Sequence, residues 1–231
     1  MNKTNSDLKE YFYEFLKEYK PNDDVEVMIA PQTASLSFIS QIFKVDNLFL
    51  WAQNCRYENS GAFTWESSLA LLKEIWVKYV IVGHGERRNI FKENDEIINK
   101  KILAVINAWM RPILCVWENL EQKNNGQTEQ ILEKQLNSDL LGVSDLSLVD
   151  IAYEPIWAIG TWLTPTNEEI EKMHGFIRNF VTPESRILYW WSSNENNAWE
   201  FIKIPNVDGF LVWGASLDPT KFLKMIDLMK L

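Results

Sequence analysis

Glycine is scarce in this chain and tryptophan is plentiful: its 231 residues hold 9 of the first and 11 of the second. Average usage, about 7% glycine, would put roughly 16 in a chain of this length. Cysteine is scarcer still. Cys55 and Cys115 are the only two and form no CxxC or Cys/His cluster, so no metal or dithiol chemistry is expected. No stretch reaches the ~20 uncharged apolar residues of a membrane span. The opening MNKTNSDLKEYFYEFLKEY lacks the apolar run of a secretory signal, and a cytoplasmic protein is the expectation. Basic residues are in deficit, 23 Lys and Arg against 32 Asp and Glu, for a formal charge of -9. That balance gives no attraction to nucleic acid or to an anionic membrane. An anionic small molecule would have to be held locally, against the field of the whole protein. Phosphate loops of the GxGxxG or GxxxxGK(S/T) kind are absent.

What is present is a regular alternation. Helix-period stretches at 6–19, 38–43, 66–76, 95–109, 128–140, 167–180, 195–202 and 219–229 separate short apolar runs at 25–30, 47–52, 78–82, 112–116, 149–153, 186–189 and 208–212. Short apolar runs between amphipathic helices predict a parallel sheet. Residues 1–231 contain no long Pro/Gly/Ser linker and no break in composition, so a single domain is expected. Eight helices against seven strands, with the chain opening on a helix, predict an α/β protein of a particular kind. It is an eight-fold (βα) barrel whose first strand is missing from the chain as written. An open doubly wound sheet is the alternative, but it seldom fits so many regular repeats into so short a chain.

In such barrels the reactive side chains lie where strands end and loops begin. One strand runs into Gly83-His84-Gly85-Glu86-Arg87-Arg88, another into Glu154-Pro155-Ile156-Trp157-Ala158-Ile159-Gly160-Thr161. Two more end at Tyr189-Trp190-Trp191-Ser192 and Val212-Trp213-Gly214-Ala215-Ser216. His84 stands out because the only other histidine, His174, falls within a helix. Burial of Glu154 beneath its apolar loop would raise its pKa and make it a usable base near neutrality. A carboxylate facing an imidazole suits proton abstraction beside a carbonyl. Cys115, within a strand, reads as a buried inert thiol. Glu118, Glu86 and Arg87 read as ion-pairing residues around the site, without direct chemistry.

These strand ends resemble the triosephosphate isomerase family. The likeness runs through Ala52-Gln53-Asn54, Gly61-Ala62-Phe63-Thr64, Gly83 to Arg88, Tyr153 to Thr161, Asp208-Gly209-Phe210-Leu211-Val212 and Ala215-Ser216-Leu217, in order along nearly the whole chain. The resemblance implies a TIM barrel interconverting dihydroxyacetone phosphate and glyceraldehyde 3-phosphate through an enediol(ate), with no cofactor and no metal. It makes Glu154 the base that shuttles the proton and His84 the neutral electrophile, a pairing for which the family is well known. It makes 155–161 a lid that closes over the phosphate. Backbone N–H groups of Gly160, Ser192 and the Trp213-Gly214 pair match its phosphate-binding positions. Thr64 matches the tip of a loop that inserts into a partner subunit, so a homodimer is implied. A catalytically dead barrel serving as a binding module is the competing reading.

Three departures from the family pattern bear on activity. The family's first strand, which ends Asn-x-Lys-Met-Asn and supplies a lysine and an asparagine to the site, has no counterpart before Met1-Asn2-Lys3-Thr4. A start assigned at an internal methionine is the expected cause, and Lys3 does not take the lysine's role. Trp51, Trp65, Trp76, Trp109, Trp117, Trp162, Trp190, Trp191 and Trp213 fall where the family has, or commonly has, glycine, while Trp157 is the family's own and Trp199 is ambiguous. Random substitution does not choose one replacement nine times. A UGA codon read as glycine by the organism and as tryptophan in the written sequence would explain all nine, whereas indoles at 190, 191 and 213 would crowd the phosphate pocket and inactivate the chain. Finally, Gly85 stands where the family has serine after the histidine.

Overall fold

The computed structural model describes residues 2–42, 45–156, 165–190 and 193–229. Seven strands run in sequence order: β1 (Val27–Ile29), β2 (Leu48–Ala52), β3 (Val77–Val82), β4 (Arg111–Glu118), β5 (Asp150–Pro155), β6 (Ile187–Trp190) and β7 (Gly209–Leu211). Each pairs in parallel with the next, giving one sheet in the order β1 to β7. Helices α1 (Asn5–Glu18), α2 (Thr33–Ile42), α3 (Leu69–Glu74), α4 (Gly85–Asn89), α5 (Asp95–Asn107), α6 (Leu120–Asn124), α7 (Thr128–Asp139), α8 (Asn167–Arg178), α9 (Ala198–Phe201) and α10 (Pro219–Leu228) fill the connections.

Alternation along the strands divides the core in two. In β4, Leu114 and Val116 face the helices, while Ile113 and Cys115 point inward with Tyr79, Ile81, Ala152, Leu188, Trp51 and Trp190. Side chains two apart in a strand share a face, so a curled sheet gathers every second residue onto its concave side. The strands curl into most of a barrel, as expected for an eight-fold barrel short of one strand. Among the described residues, β1 and β7 are the two edges of the sheet. The helical layer nevertheless comes full circle, since α1 meets α10 with the Phe15 and Phe222 rings stacked 5.9 Å apart. Between the two edges opens a cavity of about 1920 Å³, bordered by Val27 to Ala30 on one side and Gly209 to Val212 on the other.

The N-terminal ends of the strands are tied by charge. Fully buried Asp150 accepts from Arg111 (2.8 and 2.7 Å) and from Arg186 (3.0 and 2.7 Å), and Arg186 also pairs with Glu26. Burial alone would raise the Glu26 pKa. Hydrogen bonds from Tyr79, Arg186 and Lys78 outweigh that and hold it at about 2. His84 and Glu154 lie toward the opposite ends of their strands, His84 just after β3 and Glu154 near the end of β5.

The structure adds α4 and α6 to the helices read from the sequence. Each is a short coil just after a strand, started by a capping side chain: His84 for α4 and the Asn119 capping box for α6. A five-residue helix is too short to show a period of 3.6.

Candidate active site

Gly83 turns the chain out of β3 at φ +77, a conformation that side-chain-bearing residues rarely adopt. A Cβ there would also come within 3.2 Å of the Cys115 carbonyl oxygen. The turn delivers His84 as the N-cap of α4, where its Nδ1 accepts from the Glu86 N–H at 3.0 Å. A nitrogen that accepts this bond carries no proton, so the imidazole is neutral with its proton on Nε2. Burial lowers the pKa to about 4, against an upward pull from Glu86 and with a downward push from Arg87. A neutral imidazole donor at a helix N-terminus is the arrangement the family resemblance implies.

Glu154 lies in β5 and is 1% exposed. Its Oε2 accepts from the Gly85 N–H at 3.2 Å. Burial raises the pKa to about 8; the Gly85 hydrogen bond and Arg88 oppose the rise, and Glu86 adds to it. Such a carboxyl group, once deprotonated, is a far stronger base than one in water. Gly85 matters through what it lacks, because a Cβ there would stand 3.0 Å from Glu154 Oε2 and 3.2 Å from Ile156 Cγ2. The chain therefore gives Glu154 a backbone donor in a space where a serine side chain would press on it.

His84, Glu154 and Trp213 border the same large cavity, together with Gln53, Trp51 and Trp190. Gly214 follows Trp213 at the entry to a short turn, with φ -60 and open space around its Cα. Gly160 and Ser192 lie outside the described residues, as does most of the expected lid. Thr64 is exposed, in the loop between β2 and α3. Cys115 is fully buried, and burial raises its thiol pKa well above the ordinary value, as expected of an inert thiol. Arg87 pairs with Glu93 at 2.6 Å, and Glu118 accepts from the Tyr153 hydroxyl at 3.0 Å.

Two groups escaped the sequence reading. Arg88 donates to the Gly83 carbonyl (2.8 Å) and the Cys115 carbonyl (3.3 Å), and pairs with Asp95 and buried Asp139. It fastens the turn bearing His84 to β4 and to the helix behind it. Lys101, 1% exposed, donates to Asn54 (2.7 Å) and Glu93 (2.6 Å). Its place in an amphipathic helix reads as solvated surface, and only the packing of α5 against the strands shows otherwise.

The family model described as triosephosphate isomerase matches residues 1–229. A protein named triosephosphate isomerase from Aquifex aeolicus (strain VF5) is 44% identical over 98% of this chain and 95% of its own length. One of the same name from Thermodesulfovibrio yellowstonii is 42% identical over 98% and 95%, and one from Finegoldia magna is 39% identical over 100% and 96%. The match spans every strand that shapes the cavity and both residues singled out for proton transfer, and the chain belongs to the triosephosphate isomerase family.

Proposed function

We propose that this barrel interconverts dihydroxyacetone phosphate and D-glyceraldehyde 3-phosphate, with His84 and Glu154 as the catalytic residues. The observation that carries the reading is the pairing, in one cavity, of a buried carboxyl group with raised proton affinity and an imidazole held neutral by a helix N–H. The Glu154 carboxylate takes a proton from the carbon next to the carbonyl. The electron pair moves onto the carbonyl oxygen, to which the His84 Nε2–H donates, giving an enediol(ate). Glu154 then returns the proton to the neighbouring carbon, while the hydroxyl proton of the first carbon passes to the former carbonyl oxygen beside His84 Nε2, so that one C=O is lost and the next is formed. Hydrogen leaves one carbon and arrives at the next, so the reaction is redox-neutral overall.

The phosphate is held, in this reading, by backbone N–H groups of Gly160, Ser192, Trp213 and Gly214, which suits a protein with a formal charge of -9. One domain, working as a cytoplasmic homodimer that docks through the Thr64 loop, completes the proposal. No helix among the described residues is long and apolar enough to cross a membrane. With tryptophan at 190 and 213 the chain as written is expected to be inactive; the Trp190 ring centroid lies 4.4 Å from that of His84, where substrate must enter.

The test is isomerisation of glyceraldehyde 3-phosphate in deuterated water by the natural protein purified from its host. Product with deuterium on the carbon that exchanged its proton is expected. Neither conversion nor exchange in the folded natural protein would end the proposal.

A further inference from the structure

The backbone sets its own demands at several tryptophans. Trp65, Trp76 and Trp109 have φ of 75, 64 and 62, the left-handed region that glycine enters without penalty. Each sits in a motif that calls for it. The Glu66 N–H bonds to the Phe63 carbonyl at 3.0 Å, which places Trp65 third in a tight turn, where a positive φ requires glycine or asparagine. Trp76 follows the C-cap of α3, its N–H bonding the Lys73 carbonyl at 3.1 Å.

Trp109 shows the point best, because the same chain contains its control. After α5 the Trp109 N–H bonds the Ile106 carbonyl (2.9 Å) and the Met110 N–H bonds that of Val105 (3.1 Å), the double bond of a Schellman C-cap. After α6 the same pair recurs, Gly126 N–H to Lys123 and Gln127 N–H to Gln122, both 2.9 Å, with Gly126 at φ +69. One motif is written once with glycine and once with tryptophan. The indoles at these turns also go unused, with Trp65, Trp76 and Trp109 exposed by 100%, 84% and 89%.

Inside the barrel the mismatch takes another form. Trp51, Trp117 and Trp190 are buried, and among the described residues the indole N–H of each has no hydrogen-bond partner. A buried indole normally finds an acceptor. Trp199 behaves as an ordinary tryptophan, lying in α9 with the Lys203 ammonium 3.8 Å from its ring centre. Trp213 shows neither sign.

We propose that the polypeptide the cell makes carries glycine at positions 51, 65, 76, 109, 117 and 190, from one codon decoded as glycine by its ribosomes and as tryptophan in the sequence as written. Two unrelated symptoms, left-handed backbone at the surface and orphaned indole nitrogens in the interior, converge on one residue type. A single decoding rule explains both. A consequence for the site follows, resting on the isomerase reading: without the indole at 190, the space beside the His84 imidazole is open to substrate.

Peptide mass spectrometry of the natural protein from its host decides the matter without depending on how any variant folds. Peptides spanning the six positions are expected to be lighter than written by the difference between tryptophan and glycine residues. Tryptophan at any of the six overturns the common cause. A second arm compares recombinant chain as written with the Trp65→Gly, Trp76→Gly, Trp109→Gly triple variant. The triple variant is expected to melt higher by on the order of 10 °C, or to fold where the chain as written does not. Equal melting overturns the backbone argument. Neither arm reads turnover, so failure here and failure of the proton-transfer reading remain distinguishable.

Discussion

Replacing Glu154 by glutamine should make the natural protein more stable in alkaline solution while disabling it. The carboxyl group is 1% exposed, and burial moves its pKa from an ordinary 4.5 to about 8 in the folded protein. The sign follows from proton counting. Between those values the unfolded chain has released the proton and the folded chain retains it, so stability falls as pH rises through the interval. Below about 4.5 both states are protonated and the penalty vanishes; above about 8 it is complete. At about 1.4 kcal/mol for each pH unit of separation, the full penalty is on the order of 3–5 kcal/mol. Glutamine has the same shape, offers the Gly85 N–H an acceptor, and carries no charge to bury. Glu154→Gln should therefore match the parent near pH 4.5 and exceed it above pH 8, by on the order of 10 °C in melting temperature. Denaturant or thermal unfolding of both proteins from pH 5 to 9 measures the gap. A difference in stability that stays constant across that range would refute the burial argument.

Further consequences follow from the same geometry. His84 should stay neutral to about pH 4, read from its imidazole resonances. Because its folded pKa lies below the ordinary 6.5, the stability it contributes should be lost as pH falls from there, a loss absent in His84→Gln. Arg88→Met leaves Asp139 buried without its partner and should cost about 3–5 kcal/mol in chemical denaturation. It should also depress kcat more than it raises KM, since it frees the turn bearing His84. Gly85→Ala places a methyl group against the Glu154 carboxylate and Ile156, and should lower kcat with a stability cost of about 1–3 kcal/mol. Unchanged kinetics in that variant would mean that the carboxylate has room to move aside.

The barrel was legible because its strands are short and apolar and its helices amphipathic, so the alternation shows without any contact being known. The strand expected at 78–82 is β3, Val77–Val82, and the strand expected at 149–153 is β5, Asp150–Pro155. The helix expected at 95–109 stops at Asn107, because the chain turns left-handed at Trp109. The helix expected at 38–43 begins earlier, at Thr33, where no strong apolar period marks its first turn. That His84 and Glu154 border one cavity was legible from their places at strand ends. Lys101 and Arg88 could not, since burial of a charge depends on partners 47 and 51 residues away in Asn54 and Asp139. The ion cluster of Glu26, Asp150 and Arg186 is hidden for the same reason. Gly160, Ser192 and Trp162 fall outside the described residues, and their proposed roles still rest on the family resemblance.

The central claim is that Glu154 moves the proton. Its most direct test is the rate of glyceraldehyde 3-phosphate isomerisation by the natural protein and by the same protein with Glu154→Gln, near neutral pH. The account predicts turnover in the parent and a fall in kcat of about 10²–10⁴-fold or more in the variant, with KM little changed. A variant that turns over as fast as an active parent, or a folded natural protein that does not isomerise the substrate at all, would contradict it.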